Sequence, residues 1–398
     1  MIPLRRAVAG LACAAVAACS GPPGAAVPTP GSEASGSAPA TTGSPTPAPP
    51  PASPTGSASA AAPTGSASAA SPTGSASPAG TPLPETFPAP ETFPTPSETP
   101  VDPVQGGLST TAWTRGADAP VALSEVGAAR LGGQVWVAGG LTADGDAVTT
   151  VQVYDPTFDS WSVGPELPEA VHHAALVSTG RELYLIGGYA GPGFDTPTDA
   201  VRRLDPAAGA WADAPGLPQP RAAGAGAWDG ARVVYGGGVT PEGLAGDVVG
   251  LAGDAWQTVG ALAVPREHLA AANDRQGRVW FLGGRTGGLD TNVGTVDLVR
   301  DGEVSRLGEL PTPRGGVGAF WSPQTGACLV GGEEPEGTLA AVECIDGGGT
   351  VTALPPLQEP RHGLGAVVVE GVAYAVLGGP EPGLATSGTV EALLLVGE

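Results

Sequence analysis

Six short apolar runs in this chain end on two adjacent glycines. They are WVAGG (ending at Gly140), LYLIGG (Gly188), VVYGGG (Gly238), WFLGG (Gly284), CLVGG (Gly332) and AVLGG (Gly379). The closing glycines follow one another at intervals of 46 to 50 residues. Repeats of that length belong to architectures in which each unit can bury its apolar face only against its neighbours. Before most pairs stands another short run of apolar or small residues, such as AALV from Ala174 or LGAVVV from Leu364. After each pair come a loop and a third run, as in TTVQVYDP and DAVRRLDP. Three of the units then continue with a fourth run that opens on Trp161, Trp211 or Trp256 and closes on proline. Four short strands with turn residues between them make one propeller blade.

This order resembles the kelch repeat: Gly-Gly after the second strand, Tyr-Asp-Pro after the third, Trp in the fourth and Pro-x-x-Arg leading into the next blade. VYDPTFDSW and RLDPAAGAW are close matches, whereas the last two units carry Val304 and Val351 near the place of the Trp. The resemblance implies an all-β, six-bladed kelch β-propeller of the type at the centre of galactose oxidase. The sixth unit ends in TVEALLLV, a third strand with no fourth behind it. STTAWTRGADAP (109–120) has the fourth-strand pattern, with Trp113 and no strands ahead of it. The N-terminal strand is therefore expected to complete the C-terminal blade and so remove the open sheet edges.

A glycine pair after a strand is also where phosphate is cradled, but the basic residues here are 17 arginines with no lysine. A Walker-type loop needs Gly-Lys-Ser/Thr. The net charge of -22 further argues against nucleic acid as a partner. The glycines are read as architecture, placed where blades crowd and a Cβ would clash.

The N-terminus is of a different kind. Arg5 and Arg6 precede a small apolar run from Ala7 to Ala18, the pattern of an export signal and too short to span a bilayer. The run ends in VAACS, which resembles the lipobox of bacterial lipoproteins. That resemblance implies lipidation of Cys19 after removal of residues 1–18, with a plain secretory signal as the alternative. Residues 19–108 are rich in Pro, Ala, Ser, Thr and Gly, with a nine-residue PTGSASxAx repeat from Pro54. Such a stretch has almost nothing to bury, so a disordered, extended tether is expected. The propeller is assigned to 109–398. The whole is expected to be exported and lipid-anchored at the bacterial cell surface or in the periplasm, with the membrane as one partner and a monomeric propeller at the end of the stalk.

Cys328 and Cys344 lie in the second and third strands of the fifth unit, about opposite each other across a hairpin. An exported protein permits their oxidation, so a disulfide is expected, with two buried thiols as the alternative. His172, His173, His268 and His362 all fall near the start of a first strand, where each can approach one mouth of the central channel. They come from three different blades, and no metal or other cofactor is expected. Galactose oxidase holds copper with two Tyr and two His, and no such set is matched here. Arg221, Arg266, Arg314 and Arg361 recur at the turn into the first strand of four successive blades. They either form a partial ring able to grip a carboxylate at the channel mouth or bond the backbone carbonyls that connect the blades. The expected function is non-catalytic binding of a protein or glycan through the loop faces, with 188–199 and 331–338 as candidate contact loops. The alternative is a carbohydrate-active enzyme, mutarotase-like, epimerase-like or oxidase-like, acting at an Arg/His-lined mouth; no catalytic residue is assigned.

Overall fold

The computed structural model describes residues 108–395. The signal, Cys19 and residues 19–107 of the tether lie outside the described residues. Six four-stranded antiparallel sheets, with three two-stranded ribbons between strands, make up the described chain. The first runs Gly127–Leu131, Gln134–Ala138, Val151–Asp155 and Ser160–Val163, in spatial order equal to chain order. Blades two to six repeat this meander, their innermost strands being Ala175–Ser178, Ala225–Trp228, Ala270–Asn273, Gly318–Ser322 and Gly365–Val369. The sixth blade takes its outer strand from the other end of the chain: Thr114 pairs with Ala392 and Arg115 with Glu391. The expected six-bladed propeller with N-terminal closure is what forms.

Burial across a blade explains why the second runs are continuously apolar rather than alternating. In blades three to six the second strand is buried at every position, while the outer strand of blade five is almost wholly exposed. A second strand has a neighbouring blade on each face, so neither face meets water. Between blades four and five, for example, Trp280, Leu282 and Leu298 pack against Ala327, Leu329 and Ile345. The outer-strand tryptophans tie successive blades together. Trp161, Trp211 and Trp256 donate their indole N–H to the carbonyls of Ala117, Pro165 and Pro215 in the preceding blade. Val304 stands where such a Trp is absent and occupies the space left by Gly260, whose added Cβ would lie 2.7 Å from its methyl group. Cys328 and Cys344 are direct cross-strand partners, and their sulfurs are bonded at 2.07 Å.

The glycine pairs join each blade to the next. Gly187 (φ 62°) and Gly188 (φ 100°) both lie at positive φ. Gly188 N–H donates to the Arg221 carbonyl of blade three at 2.8 Å. A Cβ on Gly187 would stand 2.3 Å from that same oxygen. In the sixth blade the pair is displaced by one residue from its place in the sequence pattern. Leu377 (φ 57°) and Gly378 (φ 97°) adopt the paired conformation, and Gly378 N–H bonds Leu123 O at 2.9 Å. Gly379 is a glycine for another reason: a Cβ there would meet Ala385 O at 2.3 Å.

Strain and crowding can be separated by measurement. Gly187→Ala should cost at least about 2 kcal/mol, because left-handed strain adds to a clash with a backbone oxygen. Gly191→Ala has positive φ but nothing within 4 Å of the added methyl, and should cost roughly 1 kcal/mol or less. Equal losses in urea unfolding of the two variants would refute crowding as the reason for the pairs.

Candidate functional site

Six residues, one at the entry to each blade, form a closed ring around one end of the channel. Glu125, His173, Ala223, His268, Gly316 and Gly363 all have φ between 52° and 64°. His173 N–H donates to Glu125 O, Ala223 to His173, His268 to Ala223, Gly316 to His268 and Gly363 to Gly316, at 2.8 to 3.1 Å. Val126 N–H completes the ring on Gly363 O at 3.3 Å. A left-handed backbone at each point turns the side chain out of the strand direction and into the mouth. Six large side chains would crowd it; here three of the positions carry only hydrogen or a methyl group, and Glu125, His173 and His268 fill the space.

A second tier surrounds the ring. Residues just before it bridge to the residue just after each glycine pair: His172 to Tyr189, Glu267 to Arg285, Gly315 to Glu333 and His362 to Gly379. The side chains of both tiers meet. His173 Nε2 lies 3.0 Å from His268 Nε2 and 3.3 Å from Glu125 Oε2. His362 Nδ1 lies 3.1 Å from Glu125 Oε1. His268 Nδ1 is in contact with the Glu267 carboxylate. Arg285 bridges Glu267 at 2.8 Å and Glu333 at 2.9 Å. On the blade-two side Tyr189 is buried, while Phe194 remains 54% exposed with its ring against His172, His173 and Tyr189.

Three carboxylates, four imidazoles and a guanidinium in so little water perturb one another. Burial would raise the Glu125 carboxyl, but His173, the hydrogen bond from His362 and the charge of His268 hold it well below the usual carboxylate range. Burial pushes His173 down to about 4, against the opposing pull of Glu125. His268 is also driven well down, by burial and then by its neighbours His173 and Arg285. His172 is lowered by burial. His362 goes the other way: burial lowers it, but its bond to Glu125 and the charges of Glu125 and Glu333 raise it above the ordinary value. Shifted groups gathered at one concave place mark a site for chemistry or binding.

Below the ring the channel is walled by small residues of the inner strands, among them Ala128, Gly226, Ala271, Ala319 and Ala366. It opens at the far end into a cavity of about 300 Å3 near Arg130, Arg275, Trp321 and Glu370.

The four recurring arginines are not at the mouth, which corrects the expectation of a guanidinium ring there. Arg221, Arg266, Arg314 and Arg361 are fully buried, each bonded to an acid of the third strand: Asp247, Asp297, Glu343 and Glu391. Arg266 also donates to the carbonyls of Gly283, Val264 and Phe281, and Arg314 makes the matching bonds to Gly331, Thr312 and Leu329. Their job is to satisfy the carbonyls left over where strands two and three end, the second of the two readings open in the sequence. Of the four histidines, His173 and His268 line the mouth, and His172 and His362 are buried behind them in contact with His173 and Glu125. Tyr189, Phe194 and Glu333 fall within the candidate contact loops 188–199 and 331–338 without having been singled out, and Arg285 lies outside both loops. The signal that could have found them was the residue after each glycine pair, where Arg285 and Glu333 are charged and Leu141 and Val239 are apolar.

The Kelch motif matches residues 122–168 and 170–218, the first two blades. Beta-scruin of Limulus polyphemus is 27% identical over 29% of this chain and 13% of its own length. The human Kelch repeat and BTB domain-containing protein 13 is 36% identical over 28% of this chain and 24% of its own. The chain thus spans a quarter or less of the length of these curated relatives. Among solved structures, that of YjhT superposes with a TM-score of 0.57 at 14% identity, covering 69% of this chain and 96% of that one. At that identity the likeness is one of fold.

Proposed function

We propose that this kelch-repeat propeller is a binding module held at the outside of a bacterial membrane by a lipid on Cys19 and a tether over residues 19–108. Kelch propellers are generally interaction scaffolds, and loops on a rigid frame are where they make contact. The ligand we assign is a glycan bound at the ring mouth. The observation that carries this is the exposed Phe194 ring set against His172 and His173 at a mouth that also gathers Glu125, Glu267, Glu333 and His268. An aromatic face with convergent hydrogen-bonding groups in a concave mouth suits a sugar ring, with its apolar face and hydroxyl rim. Both candidate loops contribute, 188–199 through Tyr189 and Phe194 and 331–338 through Glu333.

A glycan array followed by titration calorimetry on the full chain tests this reading. A sugar bound by the wild type should be lost with Phe194→Ala or Glu333→Gln, with circular dichroism showing that each variant stays folded. A flat array, with a protein partner captured equally by wild type and both variants, would move recognition to the outer loops. A second reading, a carbohydrate-active enzyme of the mutarotase or epimerase kind, is favoured by the Glu267–His268 pair, the arrangement that poises an imidazole as a general base. Anomeric exchange of a bound sugar, followed by NMR, separates binding from turnover. Cys19→Ser should release the protein from membranes.

A further inference from the structure

Hydrogen-bond donors at the mouth can be assigned from partners that only accept. His172 Nε2 lies 2.9 Å from the Gly193 carbonyl and must donate to it. In the neutral ring its Nδ1 then carries a lone pair, so the 2.6 Å contact with His173 Nδ1 is made by the proton of His173. That leaves His173 Nε2 bare. His268 Nδ1 faces the Glu267 carboxylate, which accepts, so His268 Nε2 is bare as well. Two lone pairs therefore face each other at 3.0 Å, with a carboxylate oxygen 3.3 Å from one of them. Three acceptors converging with no donor between them repel unless a positive centre lies among them.

We infer that Glu125, His173 and His268 form a binding site for a first-row divalent cation, zinc being the ion that fits best. All three ligand atoms lie within 4.8 Å of one another. Around a tetrahedral ion with bonds of 2.0–2.2 Å, neighbouring ligand atoms stand roughly 3.3–3.6 Å apart; His173 Nε2 stands 3.0 and 3.3 Å from the other two ligand atoms, and the third spacing is within 4.8 Å, so a small closing of Glu125 toward His268 completes the set. Two imidazoles and a carboxylate leave a fourth position open, and the small ring residues Ala223, Gly316 and Gly363 leave room for it on the mouth side. The outer contacts are those that orient metal ligands: Glu267 on His268 Nδ1, His172 on His173 Nδ1 and His362 on the other Glu125 oxygen. The separation of the histidines over three blades, which counts against a metal in the sequence, is undone by closure of the ring. His173 and His268 reach each other across the methyl group of Ala223.

The site shares the mouth with the glycan reading, so the test measures the ion without any sugar and either idea can fail alone. Full-length protein stripped with a chelator is titrated with zinc chloride by calorimetry and, in parallel, with cobalt followed by its visible absorption. One ion per chain and a visible band typical of four or five ligands are expected. His173→Ala and His268→Ala should each weaken zinc at least a hundredfold. Glu267→Gln, which touches a ligand and not the ion, should weaken it ~10–100-fold. Circular dichroism establishes that each variant is folded; should an alanine variant fail to fold, the cobalt spectrum and Glu267→Gln still decide between the two outcomes. Absence of binding by the folded wild type would overturn the site, as would equal zinc affinity in all variants. Side-chain nitrogen NMR showing a proton held on His173 Nε2 in the presence of excess zinc would also overturn it, in favour of a proton shared between the rings.

Discussion

Deletion of residues 108–120 is expected to abolish cooperative folding of the propeller and leave an aggregating chain. The removed stretch supplies the outer strand of blade six, through Thr114 and Arg115, and extends the pairing with Ser109 O on Leu394 N–H and Gly116 N–H on Val390 O. It also supplies Trp113, which is 1% exposed and donates its indole N–H to Pro355 O of blade five at 2.7 Å. Without it the strand Val390–Leu394 shows a bare apolar edge, a template for pairing with another chain. Trp113→Ala, which keeps the strand and removes the anchor, should cost about 3–5 kcal/mol. That is a large share of a net stability that for most domains is about 5–15 kcal/mol. Urea unfolding and light scattering check both variants. A deletion variant that remains monomeric and unfolds cooperatively at the wild-type midpoint would show that closure is ornamental.

Arg266→Ala should destabilise the propeller by about 3–5 kcal/mol while leaving recognition at the mouth intact. Arg266 and Asp297 are both fully buried and 2.7 Å apart. Truncating the arginine leaves a buried carboxylate without its cation and removes hydrogen bonds to four carbonyls, and both losses act in the same direction. The pair as such need not be stabilising, because desolvating two charges offsets most of their attraction. A double replacement, Arg266→Met with Asp297→Leu, should therefore recover most of the loss. The exposed pair Arg115–Asp118 is the contrast: breaking it should cost less than about 1 kcal/mol. Denaturant midpoints measure all three. Should Arg266→Ala keep its stability and lose the ligand, the arginines would belong to the site after all.

The arginine positions show where reading along the chain stops. Their recurrence at one point of four blades was plain, and so were two explanations for it. Both explanations use the same residue at the same spacing. They differ in the direction of one side chain, toward the channel or toward an acid 26 to 31 residues on in the third strand of the blade it leads into. The histidines pose the same problem with the opposite outcome, since a left-handed backbone aims His173 and His268 into the channel.

Blade number, the order of strands within a blade, closure by the N-terminal strand and the pairing of Cys328 with Cys344 were all legible without coordinates. Each depends on interactions within a strand or hairpin, or on glycine and tryptophan recurring at the blade period, and such patterns survive in a one-dimensional string. Which arginines are buried, which imidazoles face each other, and that the sixth blade uses Leu377–Gly378 for its sharp turn were not. Those facts depend on the angle at which the closed ring presents one blade to the next. Residues 48 or 95 apart in the chain become neighbours only when all six blades are in place.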